Sequence, residues 1–200
     1  MTPACRDRET AARLGEQLVQ LGDRFGFQMW TSPAIVLMEV APHRQPAATR
    51  LRTLFDGIVS SKSTHSMKQQ MCSIVVDLCI AAGDLALARE VLTPLLLAGE
   101  SMHRAEWLRT EGALRLLDLR SDVAAAERSF QNAITAAREQ GAKSFELRAA
   151  TSLAELWQQQ GKLDEARGLL GDIYGWFTEG FDTADLRRAK TLLDTLNQPA

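Results

Sequence analysis

The chain has 200 residues, enough for one large domain or two small ones with a substantial core. Charged residues make up 24% and the apolar set 46%, as in an ordinary soluble globular protein. The formal charge of −2 and a pI near 6.0, with no stretch that concentrates Lys and Arg, argue against nucleic acid as a partner of this chain by itself. Aromatics are only 6%, and Ala, Leu, Arg and Glu dominate, a bias that favours helices.

The start, Met1-Thr2-Pro3-Ala4-Cys5-Arg6-Asp7, has no charged-then-apolar signal pattern. No apolar run approaches the roughly 20 residues needed to cross a bilayer. A cytoplasmic protein without membrane contact is therefore expected.

Taken in chain order, helical patterning predicts helices over 5–21, 28–41, 46–59, 64–82, 85–98, 101–119, 123–140, 143–160, 163–177 and 183–196. The first hairpin lacks an evident polar cap repeat and is expected to pack against something outside this chain or to self-associate. Pro42, Pro46 and the polar run Ser60-Ser61-Lys62-Ser63-Thr64-His65 mark 42–65 as a looser inter-helix loop, with a domain linker as the alternative.

In 64–82, Met67, Met71, Ile74, Val75 and Leu78 form an apolar stripe at helical spacing. Cys72 and Cys79, seven apart there, cannot bond each other. With Cys5 they make an odd set without metal spacing, read as buried small hydrophobes in a reducing compartment. Further on, Phe130, Ala133, Ile134 and Ala137 form one stripe, Leu147, Ala150, Ala154 and Trp157 the next, and Leu163, Ala166, Leu170, Ile173 and Phe177 a third.

Gly83, Gly99, Gly141 and Gly161 stand where helices should end in a left-handed residue. Asp84 and Asp122 stand where the following helices need an N-cap. Over the last helix Asp182 is the expected N-cap, flanked by Phe181 and Leu186 as a hydrophobic staple. That helix, 183–196, presents Leu186, Ala189, Leu192, Leu193 and Leu196 to one side, as a terminal cap would.

The segments Gly83-Asp84-Leu85-Ala86-Leu87-Ala88-Arg89-Glu90-Val91-Leu92, Ser121-Asp122-Val123-Ala124-Ala125-Ala126-Glu127-Arg128-Ser129-Phe130 and Gly161-Lys162-Leu163-Asp164-Glu165-Ala166-Arg167-Gly168-Leu169-Leu170 share one pattern. Ala88, Ala126 and Ala166 lie 38 and 40 residues apart, and a fainter copy puts Ala48 another 40 residues upstream. A period near 40 with helical patterning predicts an all-α fold, a right-handed α-solenoid of antiparallel hairpins of the tetratricopeptide-repeat type. It predicts a single helical-repeat domain over 1–200, four to five hairpins closed by the 183–196 cap. The repeated alanines suit the close approach of paired helices, about 8–10 Å, and Leu92, Phe130 and Leu170 suit the space between hairpins.

The run Gly141-Ala142-Lys143-Ser144-Phe145-Glu146-Leu147-Arg148-Ala149-Ala150-Thr151-Ser152-Leu153-Ala154, then Leu156-Trp157, Gln160-Gly161-Lys162 and Glu165-Ala166-Arg167, leads into Ile173-Tyr174-Gly175-Trp176-Phe177-Thr178-Glu179-Gly180-Phe181-Asp182-Thr183 and Asp185-Leu186. It resembles the carboxyl-terminal repeats of large bacterial signalling proteins. Those proteins join a nucleotide-cyclase or LuxR-type DNA-binding domain to a signalling ATPase module and a tetratricopeptide array. Arg104-Ala105-Glu106-Trp107-Leu108-Arg109-Thr110-Glu111-Gly112 is similar to that family's preceding helix, and Gly26-Phe27-Gln28-Met29-Trp30 to a still earlier one.

The resemblance is strong over about 100–196 and implies a sensor or interaction arm. Nothing here is similar to the cyclase core, the ATPase phosphate loop or the DNA-binding helices. The period also exceeds the usual value of about 34. The chain is expected to be the repeat arm alone, whether a fragment, a truncated gene or a stand-alone adaptor.

His43, His65 and His103 fall in separate regions, away from any nucleophile turn, and no His, Cys or carboxylate spacing fits a metal. Asp164-Glu165 suit a helix start, and Gly168, Gly175 and Gly180 do not form a phosphate loop. No cofactor and no enzymatic activity are expected. Trp30, Trp107, Trp157 and the group Tyr174, Trp176, Phe177 and Phe181 are expected to pack. The expected function is a protein-interaction or regulatory module whose partner is another protein or an upstream domain of a parent protein. Its groove candidates are Gln69, Gln70, Arg104, Arg109, Glu146, Arg148 and Gln158. The alternative is a small-effector sensor that binds its ligand in the groove.

Overall fold

The computed structural model describes residues 48–60, 64–99, 101–118 and 122–198, with Arg13, Leu14, Glu16, Gln17, Gln20 and Arg24. The expected helix 28–41, most of 5–21, Cys5, Trp30 and His43 lie outside the described residues. All regular structure among the described residues is α-helical, as the periodicity predicts. No helix among them is long and apolar enough to cross a membrane. The chain divides into two compact units, Met1–Leu97 and Ala98–Ala200.

The first unit contains α1 (Ala48–Ser60), α2 (His65–Ala82) and α3 (Leu85–Leu97). α2 packs on both α1 and α3. Its core is built from Leu51 and Ile58 of α1, Met71, Val75, Val76 and Cys79 of α2, and Leu87, Ala88, Val91 and Leu92 of α3. Thr64 caps α2, its hydroxyl accepting from the Met67 amide at 3.4 Å. Gly83 ends the helix at φ 78°, which lets the Asp84 amide reach back to the Cys79 carbonyl at 2.9 Å. The Asp84 carboxylate then accepts from the Leu87 amide at 3.1 Å and opens α3. On the outside, Arg52 of α1 forms a two-pronged ion pair with Glu90 of α3.

The second unit contains α4 (Arg104–Leu116), α5 (Val123–Glu139), α6 (Lys143–Gln159), α7 (Leu163–Tyr174) and α8 (Ala184–Leu196). Each helix packs on the next, and α6 also touches α4 and α8. α5 and α6 run in opposite directions. Arg138, late in α5, bonds Glu146, early in α6, while Glu127, early in α5, accepts from Trp157, late in α6. The turns repeat the device seen in the first unit. Gly141 and Gly161 adopt φ 63° and 79°, and the amides of Ala142 and Lys162 return to the Ala137 and Trp157 carbonyls at 2.8 and 2.9 Å.

Ala88, Ala126 and Ala166 are all fully buried, and Leu92, Phe130 and Leu170 are buried one turn later. In the second unit, Ala126 and Phe130 share one core with Leu147, Ala150, Leu153 and Ala154 of α6, with Leu170 of α7, and with Leu186, Ala189, Leu193 and Leu196 of α8. α4 joins through Gly112, which lies against Phe130 of α5. A Cβ on Gly112 would stand 2.6 Å from the Phe130 ring.

Three expectations need correction. α4 is shorter than 101–119 at both ends. α7 stops at Tyr174, so Phe177 packs on the core from a turn rather than from the helix. Thr183, not Asp182, is the N-cap of α8, with φ −67° and ψ 151°. The cause is Gly180, whose φ of 74° makes a turn in which the Thr183 amide bonds the Gly180 carbonyl at 2.9 Å. Asp182 is held inside that turn, and the Thr183 carbonyl accepts the first helical bond, from Arg187.

Gly112→Ala should destabilise the second unit by about 1–3 kcal/mol, because the ring of a packed Phe must give way. Gly168→Ala in α7, with no atom within 4 Å of the new methyl group, should instead stabilise by roughly 0.5–1 kcal/mol. Denaturant melts of the two variants test the opposed signs.

Candidate functional site

α4, α6 and α8 each turn a polar row toward one cleft. Glu106 and Arg109 are three apart on α4. Arg148, Thr151, Ser152 and Glu155 recur at helical spacing on α6, and Asp185 and Arg188 do so on α8. The opposite rows of the same helices, Leu147, Leu153 and Ala154 on α6 and Leu186, Ala189 and Leu193 on α8, are in the core. Amphipathicity thus aims the polar rows, and the contacts of α6 with α4 and α8 bring them together.

At the bottom of this arrangement lies Glu106, with 11% of its side chain exposed. Its Oε1 accepts from Arg109 Nε at 3.0 Å and Nη2 at 2.6 Å, and is 2.9 Å from Arg148 Nη2. Its Oε2 is buried without a hydrogen-bond partner among the described residues. Arg148 also faces Asp185, whose carboxylate is 3.9 Å from Nε. Arg188 makes two bonds to Glu155, at 2.8 and 2.6 Å. Arg109, Arg148, Thr151, Ser152, Asp185 and Arg188 line a cleft of about 90 Å³.

The expected groove residues divide among different roles. Arg109 and Arg148 belong to this cleft. Arg104 lines a second, wider one of about 290 Å³ between α4 and α5, with Leu108, Asn132, Thr135, Ala136 and Glu139. Gln158 lies near the end of α6, partly buried. Gln69 and Gln70 belong to the first unit, on α2. Gln70 is exposed, but Gln69 is buried, with Nε2 3.0 Å from His65 Nε2.

Glu146 is also buried, and a partner cannot reach it. It accepts from Arg138 at 2.6 Å and Lys143 at 2.8 Å and braces the α5–α6 turn. Burial pushes its pKa up, but the Lys143 and Arg138 bonds outweigh that and leave it below the ordinary carboxylate value. Glu127 is held low chiefly by the bond from Trp157, against burial and with help from Lys162. The sequence reading missed Asp185 and Arg188 as cleft residues and Glu106 as the acid that Arg109 and Arg148 share. On a single helix each looks like an ordinary solvated charge.

Of the aromatics, Trp107 is in the core, and Trp157, Tyr174 and Phe177 pack against it. Trp176 and Phe181 depart from the expectation, at 58% and 47% exposure. Both sit in the turn after α7, where Trp176 meets Phe177 edge-on at 5.1 Å and carries Lys143 over its ring at 5.8 Å. Phe181 leans on Tyr174 at 5.8 Å. Among the described residues no group of three or more His, Cys, Asp or Glu is placed to hold a metal. Cys72 and Cys79 are buried free thiols, each pushed up to about 11 by burial, so both stay protonated at neutral pH.

The class that these features define is an all-α protein of helical repeat-like architecture. No family model matches the chain, and no curated protein matches it. Among solved structures it is similar to BtubC (BKLC) from P. vanneervenii, with a TM-score of 0.64 and 13% identity. The match covers 98% of this chain and 90% of that one. At that identity the likeness is one of fold.

In a Cys5→Ser chain, a thiol reagent at neutral pH should leave Cys72 and Cys79 unmodified until denaturant is added, as read by intact mass. Glu146→Gln should lower stability by about 1.5–3 kcal/mol at neutral pH, the usual range for hydrogen bonds to charged groups. Because the folded pKa is depressed, that contribution is complete above the unfolded value of about 4.3 and is lost as pH falls through the lower folded value. The gap between the wild-type and Glu146→Gln melting curves should therefore close on acidification. A gap independent of pH would refute the ionic account.

Proposed function

We propose that this chain is a non-catalytic protein-interaction or regulatory module, built as a tetratricopeptide-repeat-like, right-handed solenoid of antiparallel helix hairpins. The alternation of helix contacts in the second unit supports this reading. α6 touches α4 and α8 while α5 and α7 fill the places between them, as stacked hairpins require. In such a stack α4, α6 and α8 are the first helices of successive hairpins and line the inner face. The polar cleft across those three helices is the observation that carries the functional reading. The resemblance of about 100–196 to the repeat arms of bacterial signalling proteins gives that surface a role, the control of an output domain or a separate protein in the cytoplasm.

The rival reading is a small-effector sensor. It calls for a closed apolar pocket with a few convergent polar groups. The clefts of the second unit are lined mainly by charged and polar side chains, which favours a protein partner.

The test is a pull-down of the full chain against the products of neighbouring genes, run beside a thermal-shift screen of small metabolites. Saturable retention of one protein, without a metabolite shift, is the expected result. A metabolite that raises the melting temperature, with no protein retained, replaces this reading by the sensor. Retention of nothing but a second copy of the chain points to self-association through the N-terminal hairpin.

A further inference from the structure

We propose that the turn between α7 and α8 is a docking site for a basic, apolar segment of a partner protein, with Trp176 and Phe181 as its anchors. The surface shares no residue with the polar cleft, and the proposal goes beyond the reading drawn from that cleft.

The turn presents its rings by construction. α7 ends at Tyr174, and the amides of Trp176 and Phe177 bond back to the Ile173 and Tyr174 carbonyls at 3.3 and 3.2 Å. Phe177 and Tyr174 pack against the core, while Trp176 and Phe181 stay outside, 58% and 47% exposed. Each outer ring rests on an inner one, Trp176 edge-on to Phe177 at 5.1 Å and Phe181 tilted on Tyr174 at 5.8 Å. The outer rings are therefore already ordered, and a partner that covers them gives up little conformational entropy. Single exposed aliphatic side chains are common on protein surfaces, but two supported aromatic rings on one short turn are the kind of anchor that interfaces use.

Charge decides what covers them. From Asp172 to Asp185 the chain has four acids and no base. Asp185 faces Arg148, but among the described residues the side chains of Asp172, Glu179 and Asp182 have no ion pair or hydrogen bond, and all three are exposed. Arg187 follows, exposed, on α8. Lys143 is bonded to Glu146 at 2.8 Å, a carboxylate it shares with Arg138. Against three free acids, Arg187 and the single excess charge of the Arg138–Lys143–Glu146 group leave the surface negative.

Trp176 itself shows the preference, because the Lys143 ammonium stands over its ring at 5.8 Å, as a cation does over an indole face. A segment that carries Lys or Arg beside aliphatic side chains meets both demands, covering the rings and pairing the acids. An anionic bilayer surface would be repelled by the same acids.

The test uses the full chain and three fluorescein-labelled peptides read by anisotropy, one of repeating Lys-Leu-Gly units, one of Lys-Ser-Gly and one of Glu-Leu-Gly. The Lys-Leu-Gly peptide should bind saturably, and the other two far more weakly. Trp176→Ala should weaken that binding by about tenfold, as truncation of an aromatic anchor does. Glu179→Gln should weaken it by about threefold, the scale of one exposed ion pair, whereas Glu165→Gln at the far end of α7 should leave it unchanged.

Equal binding of the Lys-Ser-Gly peptide would reduce the effect to general electrostatics, and equal binding of Glu-Leu-Gly would reduce it to bare hydrophobic contact. Either result overturns the proposal. So would the absence of saturable binding, equal losses in Glu179→Gln and Glu165→Gln, or sedimentation of the chain with phosphatidylglycerol vesicles that Trp176→Ala abolishes. Trp176 and Glu179 are exposed, so both variants should fold, as melting curves will show. If Trp176→Ala unfolds, the comparison of the two glutamate variants still decides.

Discussion

The second unit depends on one packing constraint, the closeness with which α4, α5 and α6 approach each other. Ala126, Ala133, Ala137, Ala150 and Ala154 are fully buried and carry almost no side chain at the places where the helices meet. At the α4–α5 crossing even a methyl group is too much, and Phe130 lies against the bare backbone of Gly112. Packing of this kind has only a narrow choice of interaxial distance. Larger side chains at these positions would push α4 away from α6 and dissolve the cleft that bridges them.

That same closeness determines the electrostatics. Arg148 reaches Glu106 on one neighbouring helix and Asp185 on the other because α6 is held within a side chain's length of both. Long charged side chains on separate, loosely packed helices would be hydrated, and their pairing would contribute little. Here the burial of Glu106 makes pairing obligatory, while the exposure of Asp185 leaves it optional.

The ends of the helices follow a different logic, and they were the most legible part of the chain. Gly83, Gly141 and Gly161 adopt the left-handed conformation expected of them, and Asp84 and Asp122 accept the amide bonds expected of caps. These are local events, settled within about six residues, so sequence spacing suffices to read them. Thr183 shows where local reading stops. Asp182 has the side chain of a cap, but the turn at Gly180 puts Thr183 at the helix boundary, where its side chain makes no cap bond. The site was legible only in part. Arg109 and Arg148 stand out as polar residues on first helices, but Glu106, Asp185 and Arg188 acquire meaning only as neighbours. Gln69 and Glu146 look like surface groups in sequence, yet tertiary contacts bury both.

What the sequence by itself determined is the all-α character, the place of nearly every described helix and the repeated small residues near every fortieth position. Each of these rests on periodicity, propensity or capping, interactions that span a few residues. Tertiary structure alone decided that Gly112 is a contact and not a flexible point. It also decided that Glu146 is a brace and not a ligand group, and that three charged rows converge on one cleft. Those outcomes depend on which helix lies beside which. Side chains such as Arg148 and Asp185, 37 residues apart in the chain, meet only after packing has set the distance between their helices.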